Sequence, residues 1–61
     1  MDMNGKDLLK LAKKNGWDEI RIEGSHHIMW KNGKEISIPV HGSKSVKKGL
    51  LNQILKDMEL K

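Results

Sequence analysis

The chain has no cysteine, no tyrosine and no phenylalanine, a single proline, and two tryptophans among its 61 residues. Without cysteine, neither a disulfide framework nor a thiolate zinc site can hold the fold together. With Trp17 and Trp30 as the only aromatic residues, the core has to be built from aliphatic side chains and methionine. No run approaches the roughly 20 apolar residues of a membrane-spanning helix. The N-terminus lacks the apolar stretch and small-residue cleavage site of a secretory signal. These absences set the expectation of a cytoplasmic protein without a membrane partner. A chain this short buries only about 60% of the surface that its unfolded form exposes. Domains of this size usually lean on a disulfide, a metal or another chain, so a stable partner is expected from length alone.

What the chain does have is charge. Twelve Lys and Arg stand against eight Asp and Glu, a net charge of +4, which favours a polyanion such as nucleic acid. There is no internal repeat, linker or low-complexity stretch, and one domain is expected over residues 1–61. Gly16, Gly24, Gly33, Pro39, Gly42 and Gly49 cut it into five short elements.

The first element reads as a helix from about Asn4 to Asn15. Asn4 and Asp7 have the spacing of a capping box, and Met3 with Leu8 that of a hydrophobic staple. Leu8, Leu9, Leu11 and Ala12 form its apolar face, Lys6, Lys10, Lys13 and Lys14 its solvated one. Asn15-Gly16 supplies a left-handed stop, after which Trp17 packs the helix end onto the core. Residues 18–23 alternate, with Ile20 and Ile22 inward and Arg21 and Glu23 outward. A turn at Glu23-Gly24-Ser25 leads into a strand from His26 to Lys31, and Asn32-Gly33 is a two-residue hairpin signal. The third strand, Lys34 to Val40, puts Ile36, Ile38 and Val40 on one face. Pro39 makes it an edge strand, because proline cannot donate to a ladder. The last helix carries an apolar stripe of Leu50, Leu51, Ile54, Leu55 and Met58. It starts between Ser45 and Lys48, with Ser43 and Ser45 both able to cap. The expected fold is α+β: the order α-β-β-β-α, a three-stranded antiparallel sheet with two helices on one face. The other face has no cover.

A two-residue loop at Asn32-Gly33 pairs Lys31 with Lys34, Met29 with Ile36 and His27 with Ile38. Opposed residues share a face, so His27 and Met29 lie on the core side. His26, Ile28 and Trp30 then lie on the open side, with His41 diagonal to His26. Adjacent His26 and His27 point to opposite faces and cannot chelate one metal together; no metal and no cofactor is expected. Ile28 and Trp30 make an exposed apolar patch, a place for the partner that the short chain wants.

Imidazole takes up and gives off protons near neutral pH. Beside a phosphodiester it can deprotonate a ribose 2′-hydroxyl, which then attacks the adjacent phosphorus without help from a metal. On the open face His26 is the candidate base, with the Ser25 hydroxyl and the turn amides beside it and His41 as a helper acid. The plainer reading makes His26 a surface strand residue and His27 a satisfied core histidine. Lys44, Lys47 and Lys48, at the start of the last helix, form a candidate phosphate clamp, or else a solubilising loop. Trp30 either stacks on a base or meets an apolar partner. The lysines of the first helix are read as a solvated face.

Read in order, Gly16-Trp17, Gly24-Ser25-His26-His27-Ile28, Ile38-Pro39-Val40-His41-Gly42 and Lys48-Gly49-Leu50-Leu51 with Ile54-Leu55-Lys56 resemble the HicA (YcfA-like) toxins. The resemblance covers nearly the whole chain, to Leu60. It implies a fold like that of a double-stranded-RNA-binding domain and an mRNA interferase that blocks translation. It further implies RNA as substrate and a HicB-like antitoxin as partner. The family's functional histidine maps onto His26; some members place it one residue later, which keeps His27 as the fallback. The chain departs from the pattern in its tight Asn32-Gly33 hairpin and in Leu50, where a threonine is common. Two other classes remain beside a nuclease: a non-catalytic RNA-binding module that uses the sheet face and the lysines, and a domain that binds only protein.

Overall fold

A computed structural model describes residues 2–61. Helix α1 (Gly5–Lys14) begins at the expected capping box: the Asn4 side chain accepts from the Asp7 N–H at 2.9 Å, and the Asp7 carboxylate accepts from the Asn4 N–H at 3.3 Å. Leu8 and Ala12 are fully buried, with Leu9 and Leu11 at the edge of the core. The helix closes with a Schellman motif. Gly16 sits at φ +89°, its N–H bonds the Lys13 carbonyl at 3.2 Å, and the Trp17 N–H bonds the Ala12 carbonyl at 3.0 Å. That reversal drops the Trp17 indole into the core, as expected.

Strands β1 (Asp18–Glu23), β2 (His26–Lys31) and β3 (Lys34–Pro39) form one antiparallel sheet in the order β1-β2-β3. Asn32 and Gly33 both have positive φ, 48° and 82°, the backbone of a type I′ hairpin. The β2–β3 register is the expected one: Lys31 opposite Lys34, Met29 opposite Ile36, His27 opposite Ile38 and His26 opposite Pro39. Strand β3 stops one residue early, at Pro39, yet the Val40 N–H still donates to the Ser25 carbonyl at 2.8 Å.

Strand β1 departs from the expected alternation. Ile20 is 46% exposed and Ile22 56%, rather than inward. For Ile20 the cause is a bulge: Glu19 pairs with Met29 but Arg21 with Ile28, so Ile20 is an extra residue with no partner. The bulge shifts the parity of the strand and gives the place beside Met29 to Glu19. Ile22 regains the core side, opposite His27, on an edge strand that the apolar faces of the helices do not cover.

Helix α2 (Lys48–Asp57) buries Leu51 and Ile54, with Met58 at its C-cap, against Met29, Ile36 and Ile38. Leu8 and Ala12 of α1 join the same cluster, so both helices cover one face of the sheet. Leu50 falls outside the buried stripe at 47% exposure, because each helical residue turns about 100° from the last. Neither serine caps α2: its N-cap is Lys47, without a side-chain hydrogen bond, and Ser45 bridges to Asn4 instead. The C-terminus is a second Schellman motif, with Glu59 at φ 62° and the Leu60 N–H on the Leu55 carbonyl at 2.9 Å.

Two lysines that flank the hairpin finish the helix ends. Lys31 Nζ donates to the Asn15 carbonyl at the end of α1 (2.8 Å), and Lys34 Nζ to the Asp57 carbonyl at the end of α2 (2.7 Å). Cations there oppose the negative ends of the helix dipoles. Both C-termini therefore meet the Asn32-Gly33 end of the sheet. At the other end, where His26 starts β2, the start of α1 presses on Pro39 and Val40.

Candidate functional site

His26 stands at the beginning of β2 on the open face, between Glu23 of β1 and Pro39 of β3. It is exposed, and among the described residues its ring enters no hydrogen bond or ion pair. A two-residue loop brings it there: Gly24 at φ 62° starts a tight β1–β2 turn, the glycine-first pattern of a type II′ hairpin. Ser25 completes the turn and is half-buried.

Beyond β3 the chain turns again. The Lys44 N–H bonds the His41 carbonyl at 3.0 Å, with Gly42 at φ 58° inside the turn. This folds His41 and Lys44 back towards α2 and forms a cleft of about 260 Å³. Pro39, Val46 and Leu50 give the cleft apolar walls, Lys44 and Lys47 give it a cationic rim, and the His41 ring lies beside them. Lys48 does not join them. It lines a separate cleft of about 390 Å³ with Asn52 and Lys61, so the expected three-lysine clamp is split over two sides of the α2 start. Among the described residues no hydrogen bond joins His41 to His26. The Val40–Ser25 hydrogen bond carries the β2–β3 register one row past His26, which puts His41 at the same end of the sheet. Pro39 joins the two, as the cross-strand partner of His26 and a wall of the cleft.

His27 lies on the core side and is committed to another group. Its Nδ1 donates to the Glu19 carboxylate at 2.6 Å, with the two side chains 19% and 28% exposed. Glu19 escaped the sequence reading, because only the bulge at Ile20 brings it to this face. The bond from His27 is the main reason that the Glu19 carboxyl lies below its ordinary value of 4.5; burial opposes the shift and nearby Lys13 assists it. A lowered pKa means that the pair stabilises the fold above the ordinary carboxylate value, and that this is lost as pH falls through the lowered one. Glu19→Gln is expected to lower the melting temperature at pH 7. The gap from the unsubstituted protein should close as the pH drops below 4.5, and melting curves across that range check it.

The open face differs from expectation in one respect. Trp30 is 41% exposed, but Ile28 is only 8% exposed and adds no apolar patch. The reason is Arg21, which pairs with Glu23 on its own strand and reaches Glu35 of β3 at 3.0 Å. To do so its side chain crosses β2 over Ile28, its cross-strand neighbour. Around this ion pair the face carries Asp18, Glu23 and Glu35, so it is acidic on a chain of net charge +4. Among the described residues no three His, Cys, Asp or Glu side chains gather to hold a metal, and no helix is long and apolar enough to cross a membrane.

Fold and site together define a small α+β protein with one open, acidic sheet face and a cationic end where an unengaged histidine stands. The family model for the HicA toxin of bacterial toxin–antitoxin systems matches residues 5–60, and the chain belongs to that family. It is a toxin of a toxin–antitoxin pair, with an antitoxin for its partner. A search of curated proteins gave no match.

Proposed function

We propose that this toxin is an RNA endonuclease, an mRNA interferase that acts on messenger RNA in the cytoplasm with His26 as its base. His26 takes the proton of a ribose 2′-hydroxyl, and the 2′-oxygen attacks the neighbouring phosphorus. The bond from phosphorus to the 5′-oxygen breaks, leaving a 2′,3′-cyclic phosphate, and the departing oxygen takes up a proton. His41, two residues beyond Pro39 at the same end of the sheet, is the candidate donor, and the Ser25 hydroxyl is a polar neighbour of the reacting group. No step calls for a metal or cofactor. The observation that carries this reading is an exposed imidazole, without a hydrogen-bond partner among the described residues, at the sheet end that also holds the cleft rimmed by Lys44 and Lys47. His27 is the weaker candidate, because Glu19 already occupies its Nδ1.

The charge distribution supports a path for the RNA. Asp18, Glu23 and Glu35 repel a polyanion from the centre of the sheet, whereas Lys44 and Lys47 on one side of the α2 start and Lys48 on the other attract it. The first turn of α2 has no acidic residue and no side-chain cap, so its free N–H groups add to that attraction. The same acidic face, with Trp30 half-exposed on it, suits the antitoxin, and an antitoxin seated there covers His26 and blocks the substrate.

RNA with a single 2′-deoxy or 2′-O-methyl ribose at the scissile position should resist cleavage there, because the nucleophile is missing. A chelator should leave the cleavage of unmodified RNA unchanged. Mapping cut ends on matched oligonucleotides checks both, and equal cutting of the 2′-deoxy substrate would eliminate the mechanism. RNA binding without products at stoichiometric protein would instead identify a non-catalytic binding module.

A further inference from the structure

We propose that the cleft beside His41 is a subsite for one unpaired nucleotide of the RNA, with the base against Pro39, Val46 and Leu50 and the phosphate on Lys44 and Lys47. This deepens the reading above and rests on RNA being the ligand. The cleft combines two kinds of surface that separate ligands do not require together. A bare anion needs the lysines but no apolar wall, and an apolar ligand needs the wall but no lysines. A nucleotide needs both. The volume of about 260 Å³ falls just below the roughly 300–1,000 Å³ of sites for drug-sized ligands, the scale of one nucleotide and too small for a duplex.

Leu50 is the residue that makes the cleft selective. It is 47% exposed and outside the buried cluster, so core packing does not account for a leucine there. It stands on a helix start that is otherwise basic, after Lys47 and Lys48. Apolar contact accepts any base that can be splayed out, and a base held in a double helix cannot be. The polar groups near the walls are the Ser45 hydroxyl and the His41 ring, too few to read one base strictly. Because Pro39 both lines the cleft and faces His26 across the sheet, the nucleotide held there is a near neighbour of the one whose phosphate is cut. The toxin then selects unpaired RNA, with a graded preference among bases beside the cut.

The test measures binding with His26→Ala protein, so that no RNA is consumed. The probes are a short single-stranded RNA, an abasic ribose–phosphate chain of equal length and a duplex of the same sequence. Leu50→Ala removes roughly one to two methylene-equivalents of apolar contact at about 0.8 kcal/mol each. It is therefore expected to weaken binding of the single-stranded RNA about fivefold to tenfold, and to leave the abasic chain and the duplex unchanged. Lys44→Ala should weaken all three alike. If Leu50→Ala changes nothing, or weakens RNA and abasic chain equally, the subsite is refuted. Failure of the nuclease reading is a separate result, read as RNA binding without cleavage products by the unsubstituted protein.

Discussion

His26→Ala protein is expected to fold and melt like the unsubstituted toxin while losing RNA cleavage and the power to arrest growth. Positioned acid–base groups contribute about 10²- to 10⁴-fold to rate, and loss of the base should cost that much in single-turnover cleavage. The fold should not notice. His26 is exposed, lies on the face opposite both helices, and makes no hydrogen bond with a described residue. Surface substitutions of that kind stay within about 0.5 kcal/mol. His27→Ala is the informative contrast. It removes a half-buried ring and leaves the Glu19 carboxylate without its donor, so stability should fall while the folded fraction still cuts. The two histidines are adjacent in sequence but on opposite faces of the sheet, so one substrate pose cannot use both. Full cleavage by the His26→Ala protein, together with inactivity of well-folded His27→Ala protein, would move the base to His27.

The distinction between these histidines was legible in the sequence because it depends on local chemistry. Asn32-Gly33 specifies a two-residue loop with both φ values positive, the loop fixes the β2–β3 register, and the register assigns each side chain to a face. The caps of α1 were legible for the same reason, since Asn4, Asp7 and Gly16 act on backbone groups a few residues away. The bulge was not. Ile20 and Ile22 alternate as a half-buried strand should, and only pairing with β2 reveals the extra residue. Glu19 and its bond to His27 were hidden with it. The cover over Ile28 was illegible because it is a side-chain bridge from β1 to β3 across a third strand. The lysines were legible as a cluster in sequence but not in space: Lys47 occupies the N-cap position of α2 and Lys48 opens the helix, and a helical step sends their side chains to different clefts. Leu50 read as core by spacing, and the phase of the helix makes it the outer wall of a cleft instead.

Gly5 shows the same divide and carries the largest expected effect on stability. At the first position of a helix, alanine in place of glycine ordinarily helps, because glycine loses more backbone freedom on folding. Here the sign should reverse. A Cβ on Gly5 would lie 2.2 Å from the Pro39 carbonyl oxygen and 2.7 Å from the Val40 Cα, both backbone atoms at the end of β3. Backbone cannot rotate away as a flexible side chain does, so α1 has to lift off the sheet. Overpacking typically costs about 1–3 kcal/mol. In a domain of this size each kcal/mol moves the melting temperature by about 4–8 °C. Gly5→Ala is therefore expected to melt at least about 8 °C lower, taking the upper half of that cost. The internal control is Gly49→Ala in α2, where an added Cβ meets nothing within 4 Å and the ordinary helix preference of about 0.5–1 kcal/mol should appear as a gain. Two identical substitutions near helix starts should shift the melting point in opposite directions. An unchanged or raised melting temperature for Gly5→Ala would mean that α1 does not approach β3 this closely. The consequence reaches the site, because Pro39 and Val40 lead directly into His41. Lifting α1 removes the support behind that turn, so Gly5→Ala protein that remains folded at low temperature should also bind single-stranded RNA less tightly, which Gly49→Ala should not do.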